Sequence, residues 1–177
     1  YYNIEVPLIK VLAVMEAAGV RINASFLGQL SAEMDVRMEA LQKEIVAAAG
    51  MQFNINSTQQ LSHVLFEKLG LPTKGKTTKK TGYSTDASVL EKLALSHELP
   101  RKILEYRERA KLKSTYLDAL PEMVNAQTHC VHTSFNQTTT DTGWLSSSEP
   151  NLQNIPIKTE TGRLVRKAFV PRPRAKG

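Results

Sequence analysis

Apolar residues recur with helical spacing along roughly the first 120 positions, and the pattern then changes. Residues 24–49 carry the clearest stripe: Leu27, Leu30, Met34, Met38, Leu41 and Ile45 follow one another at intervals of 3, 4, 4, 3 and 4. Such a seam predicts a long helix that wants an antiparallel partner, with Gly50 as its stop. Residues 5–18 predict a second helix, with Leu8, Val11, Leu12 and Met15 at 3-and-4 spacing and Gly19 ending it. Ser57 followed by Gln60 is a capping-box signature, opening a short helix with Leu61, Val64, Leu65 and Leu69 on one face. A short helix over about 86–95 and a long one over about 100–125 complete this half. Pro100 suits a first helical turn, whereas Pro121 is expected to kink or end the long helix.

Beyond residue 126 the texture is different. Residues 131–157 are rich in Thr, Ser, Asn and Gln, with β-branched or aromatic side chains at Val131, Thr133 and Phe135, which predicts short strands and turns. Residues 161–170 predict one helical turn and then a strand. No internal repeat is evident. The expected fold class is α+β: a helical hairpin with small helices at its tip, followed by an incomplete β-rich segment.

Composition narrows the class. Hydrophobic residues make up 41% of the 177 positions and charged ones 23%, as in globular proteins. No apolar run approaches the ~18 residues of a membrane span, and no signal-peptide pattern opens the chain. A sole cysteine, Cys130, excludes an internal disulfide and suits a reducing compartment. The histidines at 63, 97, 129 and 132 are too scattered for a zinc cluster. The first residues are Tyr1-Tyr2-Asn3 with no initiating Met, so the chain is expected to be cut from something larger. Charge is uneven: residues 1–73 are net −2 and residues 74–177 net +8, giving +6 in all. A basic half on a neutral-to-acidic scaffold suits a polyanionic partner, though many soluble proteins are basic without one.

Four stretches carry candidate chemistry. Gly70-Leu71-Pro72-Thr73-Lys74-Gly75-Lys76-Thr77 matches the nucleotide-binding pattern G-x-x-x-x-G-K-[ST] letter for letter. That loop works only between a strand and a helix N-terminus. Here a helical segment precedes it and TTKKTGYST follows, so it reads instead as a basic tip. Lys74, Lys76, Lys79 and Lys80, with hydroxyls between them, can reach phosphates as point charges, though such a composition equally fits a solvated loop. On the long helix, at ~100° per residue, Arg107, Lys111, Ser114 and Thr115 share one arc, and Ile103, Tyr106, Ala110, Leu117 and Leu120 fill a neighbouring one. Two cations and two hydroxyls in line can track a phosphate backbone, as can an ordinary solvated face. Finally, residues 142–156 crowd serines, asparagines and a glutamine into a turn-rich stretch with few apolar anchors. Such groups suit minor-groove acceptors, which check geometry more than sequence, though by composition alone a polar surface loop is the better reading.

Several strings occur together in an order that resembles one family. They are Glu5-x-Pro7-Leu8, Met15-Glu16, Gly19-Val20, Phe53-Asn54-Ile55-Asn56-Ser57 and Val64-Leu65-Phe66-Glu67-Lys68-Leu69-Gly70-Leu71-Pro72. Tyr83-Ser84-Thr85-Asp86, Lys111-Leu112-Lys113-Ser114-Thr115-Tyr116, His132-Thr133, Phe135-Asn136-Gln137 and Leu145-Ser146-Ser147-Ser148 through Pro156 follow. The chain resembles family A DNA polymerases, of the bacterial DNA polymerase I type, over residues 4–171, and LSSS-x-PNLQNIP is the most specific string.

The resemblance implies a thumb at residues 1–125 and the opening palm segment at residues 126–177, stopping before the first catalytic Asp motif. It implies contacts with primer–template DNA from Lys79, Lys80, Arg107, Lys111, Lys113, Ser114 and Thr115, and from Thr142, Trp144, Ser146, Ser147, Asn151, Gln153, Asn154, Lys158 and Arg163. The parent would be a magnesium-dependent nucleotidyltransferase of DNA replication and repair, acting in the bacterial cytoplasm at the nucleoid. Its dNTP substrates would be bound only by the complete enzyme. No acid here matches the family's metal-binding positions, so the implied catalytic and metal residues are none, and the chain alone is expected not to polymerise. Its expected partners are DNA and the remainder of the polymerase chain, with no membrane. Two positions depart from the family pattern: Trp144 and Cys130 each stand where the family has Arg. Losing a charge-assisted hydrogen bond costs about 1.5–3 kcal/mol. The alternative is a catalytically inactive, polymerase-derived DNA-binding protein.

Overall fold

The computed structural model describes residues 2–72, 83–141 and 143–171. The chain divides into two compact units, residues 1–31 with 112–177, and residues 32–111. The fold is α+β, as expected.

The unit of residues 32–111 is helical. It holds most of α2 (Ala24–Ala49), α3 (Thr58–Ser62), α4 (Ala87–Ala94) and nearly all of α5 (Glu98–Leu112). The α2 seam is inward as its spacing predicts: Met34, Leu41 and Ile45 are buried and Met38 is partly so. Around them pack Leu61, Val64, Leu65, Leu90, Leu93, Leu99 and Ile103. Gly50 ends α2 at φ +63, and the Lys68 ammonium donates to its carbonyl at 2.8 Å. Ser57 caps α3 by accepting from the Gln60 N–H, as expected. The reciprocal half of the box is displaced, because Gln60 Oε1 accepts from the Asn54 N–H at 2.7 Å.

After α3 the helix widens into a π-helical segment, His63–Lys68. Its turns take in an extra residue, which rotates the expected apolar face. Phe66 turns inward beside Val64 and Leu65, and Leu69, predicted inward, is 39% exposed. A second widened segment, Lys113–Leu117, follows α5 directly. The long helix is therefore interrupted earlier than its proline predicts. Pro121 sits within the short α6 (Ala119–Glu122), where a first-turn position needs no N–H.

The other unit joins α1 (Glu5–Ala18), the start of α2, α6, α7 (Glu160–Lys167) and two small antiparallel sheets. β1 (Arg21–Ile22) pairs with β4 (Phe169–Val170), and β2 (Ser134–Asn136) with β3 (Ser146–Ser148). The strands expected in 131–157 are thus present, and α7 runs to 8 residues, longer than the single turn its sequence suggests. A lone bridge links Val20 to Val131. In α1, Leu12 is buried but Val11 and Met15 are 53% and 48% exposed, contrary to the spacing-based expectation. The inward face is instead shared with two carboxylates. Glu16 accepts from the Phe135 N–H at 2.6 Å, and Glu5 accepts from Gln137 Nε2 at 2.8 Å. No helix among the described residues is long and apolar enough to cross a membrane.

Candidate nucleic-acid interface

The β2–β3 pair leads into the polar stretch that the sequence singles out. In the register Ser134↔Ser148, Phe135↔Ser147, Asn136↔Ser146, alternate side chains face opposite sides. Ser147 falls on the inner side. Its hydroxyl is buried 2.9 Å from the buried Thr133 hydroxyl. Both lie within hydrogen-bond reach of the Pro150 carbonyl, Thr133 at 2.8 Å and Ser147 at 3.1 Å. Ser147 Oγ also accepts from the Leu152 N–H at 3.0 Å. This knot of hydroxyls satisfies backbone groups that would otherwise be buried unpaired, and it fixes the course of residues 147–152. Ser146 Oγ is itself shielded from solvent, with no hydrogen-bond partner among the described residues.

Past the knot, the chain turns outward. Asn151 Oδ1 accepts from the N–H groups of Gln153 and Asn154 at 3.1 and 3.2 Å, an Asx-type turn. Asn151, Gln153 and Asn154 are all exposed. Ile155 returns to the core, and α7 begins at the Thr159 cap, whose hydroxyl accepts from the Gly162 N–H at 3.2 Å. A Cβ on Gly162 would come 2.3 Å from the Pro156 carbonyl oxygen, so only glycine allows α7 to seat this closely. Lys158 and Arg163 are exposed. Arg163 Nε donates to Ile157 O at 3.3 Å, and Arg166 Nη2 donates to Ile155 O at 3.1 Å. Arg166 and Lys167, both exposed, were not singled out from the sequence. Reading 161–170 as a single turn hid the spacing that puts 163, 166 and 167 on one helix face.

The candidates on α5 and on the widened segment after it separate. Lys111, Ser114 and Thr115 are exposed. Arg107 is half-buried and Nη1 donates to the Thr85 carbonyl at 2.6 Å. Burial pulls its guanidinium below the ordinary value, partly countered by Asp86. Lys113 is likewise engaged: its ammonium donates to Ser31 Oγ at 2.9 Å and to Asp118 at 2.9 and 3.1 Å. Trp144 is 75% exposed. Cys130 is buried, so of the two departures from the family pattern one faces inward. Lys79, Lys80 and Thr142 lie outside the described residues, as do Lys74 and Lys76 of the nucleotide-binding pattern. The segment before that pattern is helical, not a strand. Among the described residues no three or more His, Cys, Asp or Glu side chains converge.

The amide turn at 151–154 and the cations of α7 lie within one compact unit. The chain belongs to DNA polymerase family A, whose model matches residues 24–176. It is 51% identical over 170 residues to the thermostable DNA polymerase I of Thermus thermophilus, covering 96% of this chain and 20% of that protein. It is 53% identical over 169 residues to DNA polymerase I of Geobacillus stearothermophilus, covering 96% of this chain and 19% of that protein. The chain thus spans about a fifth of the length of these curated relatives. Among solved structures it resembles the POL domain of Pol1 from M. smegmatis in complex with DNA primer-template and dNTP. The TM-score is 0.83 at 42% identity, over 94% of this chain and 29% of that one.

Proposed function

We propose that this chain is the part of a DNA-directed DNA polymerase that holds primer–template duplex without regard to sequence, and that nucleotidyl transfer resides elsewhere in the polymerase. The observation that carries this reading is the outward amide turn, Asn151, Gln153 and Asn154, braced by the buried Thr133–Ser147 pair and followed by the cations of α7. Amide donors of this kind address base-edge acceptors common to both orientations of a pair, while Lys158 and Arg163 neutralise phosphate. The resemblance adds Lys111, Ser114 and Thr115, and Lys79 and Lys80, as further DNA-contacting residues. In this reading residues 1–125 are thumb and 126–177 open the palm, and the compact unit 32–111 lies wholly within the thumb. Ser147, Lys113 and Arg107 act inward, shaping the elements that present the other groups. Catalytic carboxylates, magnesium and dNTP belong to the rest of the enzyme.

A second reading, an inactive DNA-binding descendant, is favoured by the exposed Trp144 in place of the family's Arg. Anisotropy of a fluorescent primer–template duplex across a salt series tests the first. Duplex binding whose log K falls by about 0.9 per phosphate contacted per decade of salt, with a smaller slope for Lys111→Ala, is expected. No binding at low salt would overturn it. Restoring Arg at position 144 in the full polymerase distinguishes the second, since an inactive descendant gains no primer extension.

A further inference from the structure

We infer that Trp144 is a stacking platform for an unpaired nucleobase, an assignment that rests on the DNA-holding function proposed above. Trp144 is the only tryptophan of the chain, and it leaves 75% of its surface in water. The indole thus presents an apolar ring face with a single polar edge to solvent. Its backbone is held in place: the Thr140 hydroxyl donates to the Trp144 carbonyl, Gly143 turns the chain at φ +73, and β3 begins two residues later. The indole itself carries one N–H donor and no acceptor. It therefore cannot replace the two-pronged donation of an Arg to base edges in a groove.

What the indole offers is a flat apolar face. Within a duplex each base is already stacked on both sides, so a free base face occurs only on a single strand or at an open strand end. Stacking on an aromatic side chain is indifferent to base identity. Residues 126–177 carry seven Lys/Arg against three Asp/Glu in sequence, a net charge that draws a phosphate backbone towards the segment as a whole. An exposed aromatic on a segment of net positive charge is a combination that suits single strands.

Because no other tryptophan contributes, intrinsic fluorescence reads this side chain alone. The whole chain is titrated with a thymine oligonucleotide, an abasic oligonucleotide of equal length and a blunt-ended duplex, and affinities are read in parallel by anisotropy of labelled strands. Saturable quenching by the thymine strand is expected, with none from the abasic strand and less from the duplex. Trp144→Ala is expected to weaken single-strand affinity about tenfold with an unchanged salt slope, and Trp144→Phe to retain most of it. Strand binding without quenching, or undiminished affinity of Trp144→Ala, overturns the stacking role and leaves duplex holding intact. Loss of all DNA binding overturns both. A blue-shifted emission that grows with protein concentration assigns the indole to a second copy of the chain and overturns it as well.

Discussion

His132 Nδ1 lies 2.7 Å from the carbonyl oxygen of Glu16, across 116 residues of sequence. A carbonyl only accepts, so Nδ1 carries a proton, and Nε2 lies 2.6 Å from the Thr128 hydroxyl. The imidazole thereby closes the last turn of α1 and fixes its exit. Gly19 makes room for it. With φ +64 and ψ −178 its backbone is of a kind almost reserved for glycine, and a Cβ there would come 2.8 Å from the imidazole and 2.9 Å from the Val131 carbonyl. Gly19→Ala is expected to cost about 2–4 kcal/mol, read as a lower urea midpoint with an unchanged m-value.

Ser147→Ala removes the acceptor of the Leu152 N–H and one of the two hydroxyls beside the Pro150 carbonyl. A loss of about 1–3 kcal/mol is expected. Since Thr133 shares the knot, a double-mutant cycle with Thr133→Val should show coupling of about 0.5 kcal/mol or more. Additive effects would mean that the two hydroxyls act separately.

Arg107 and Lys111 lie one turn apart on α5 yet are expected to answer differently. Arg107→Ala deletes the 2.6 Å bond to Thr85 and should lower stability by about 1.5–3 kcal/mol while leaving the salt slope of DNA binding near that of the parent chain. Lys111→Ala should reduce that slope by about 0.9 with little change in melting temperature. Reversed results would exchange their assigned roles.

Burial alone would raise the Asp118 carboxyl, but the Ser31 hydroxyl and the Lys113 ammonium outweigh it and hold the group below its ordinary 3.8. A carboxyl depressed by folding stabilises the native state above its unfolded value, and the contribution disappears as pH falls through the folded one. The urea midpoint is therefore expected to drop as pH falls below about 4, the ordinary range for Asp, and Asp118→Asn should flatten part of that drop. The side chain is 48% exposed, so solvent screening keeps the effect small. An unchanged acid profile in Asp118→Asn would count against it.

The helices were legible where a periodic apolar face meets a clear stop, as in α2 with Gly50, or where the stop alone is clear, as Gly19 is for α1. Two features escaped that reading for one physical reason. The π segments at 63–68 and 113–117 shift the face by a residue, and no residue type announces such a widening, so Leu69 was expected inside and Phe66 takes its place. In α1 the inner face is completed by Glu5 and Glu16, and an apolar count passes over carboxylates. The candidate interface was legible as a string of polar letters, which did not tell inward from outward. Register on β3 decides it, sending Ser147 into the core while the turn after it presents Gln153 and Asn154.

The close seat of Gly162 on Pro156 leaves no play between the amide turn and the start of α7. The side chains at 153, 154 and 158 stand on that seat without forming it, whereas Arg163 also ties α7 to the Ile157 carbonyl. Each of those three can be exchanged singly, as a lineage drifts or a designer chooses, without shifting the positions of the rest. The glycine that carries no functional group of its own is what makes those exchanges independent.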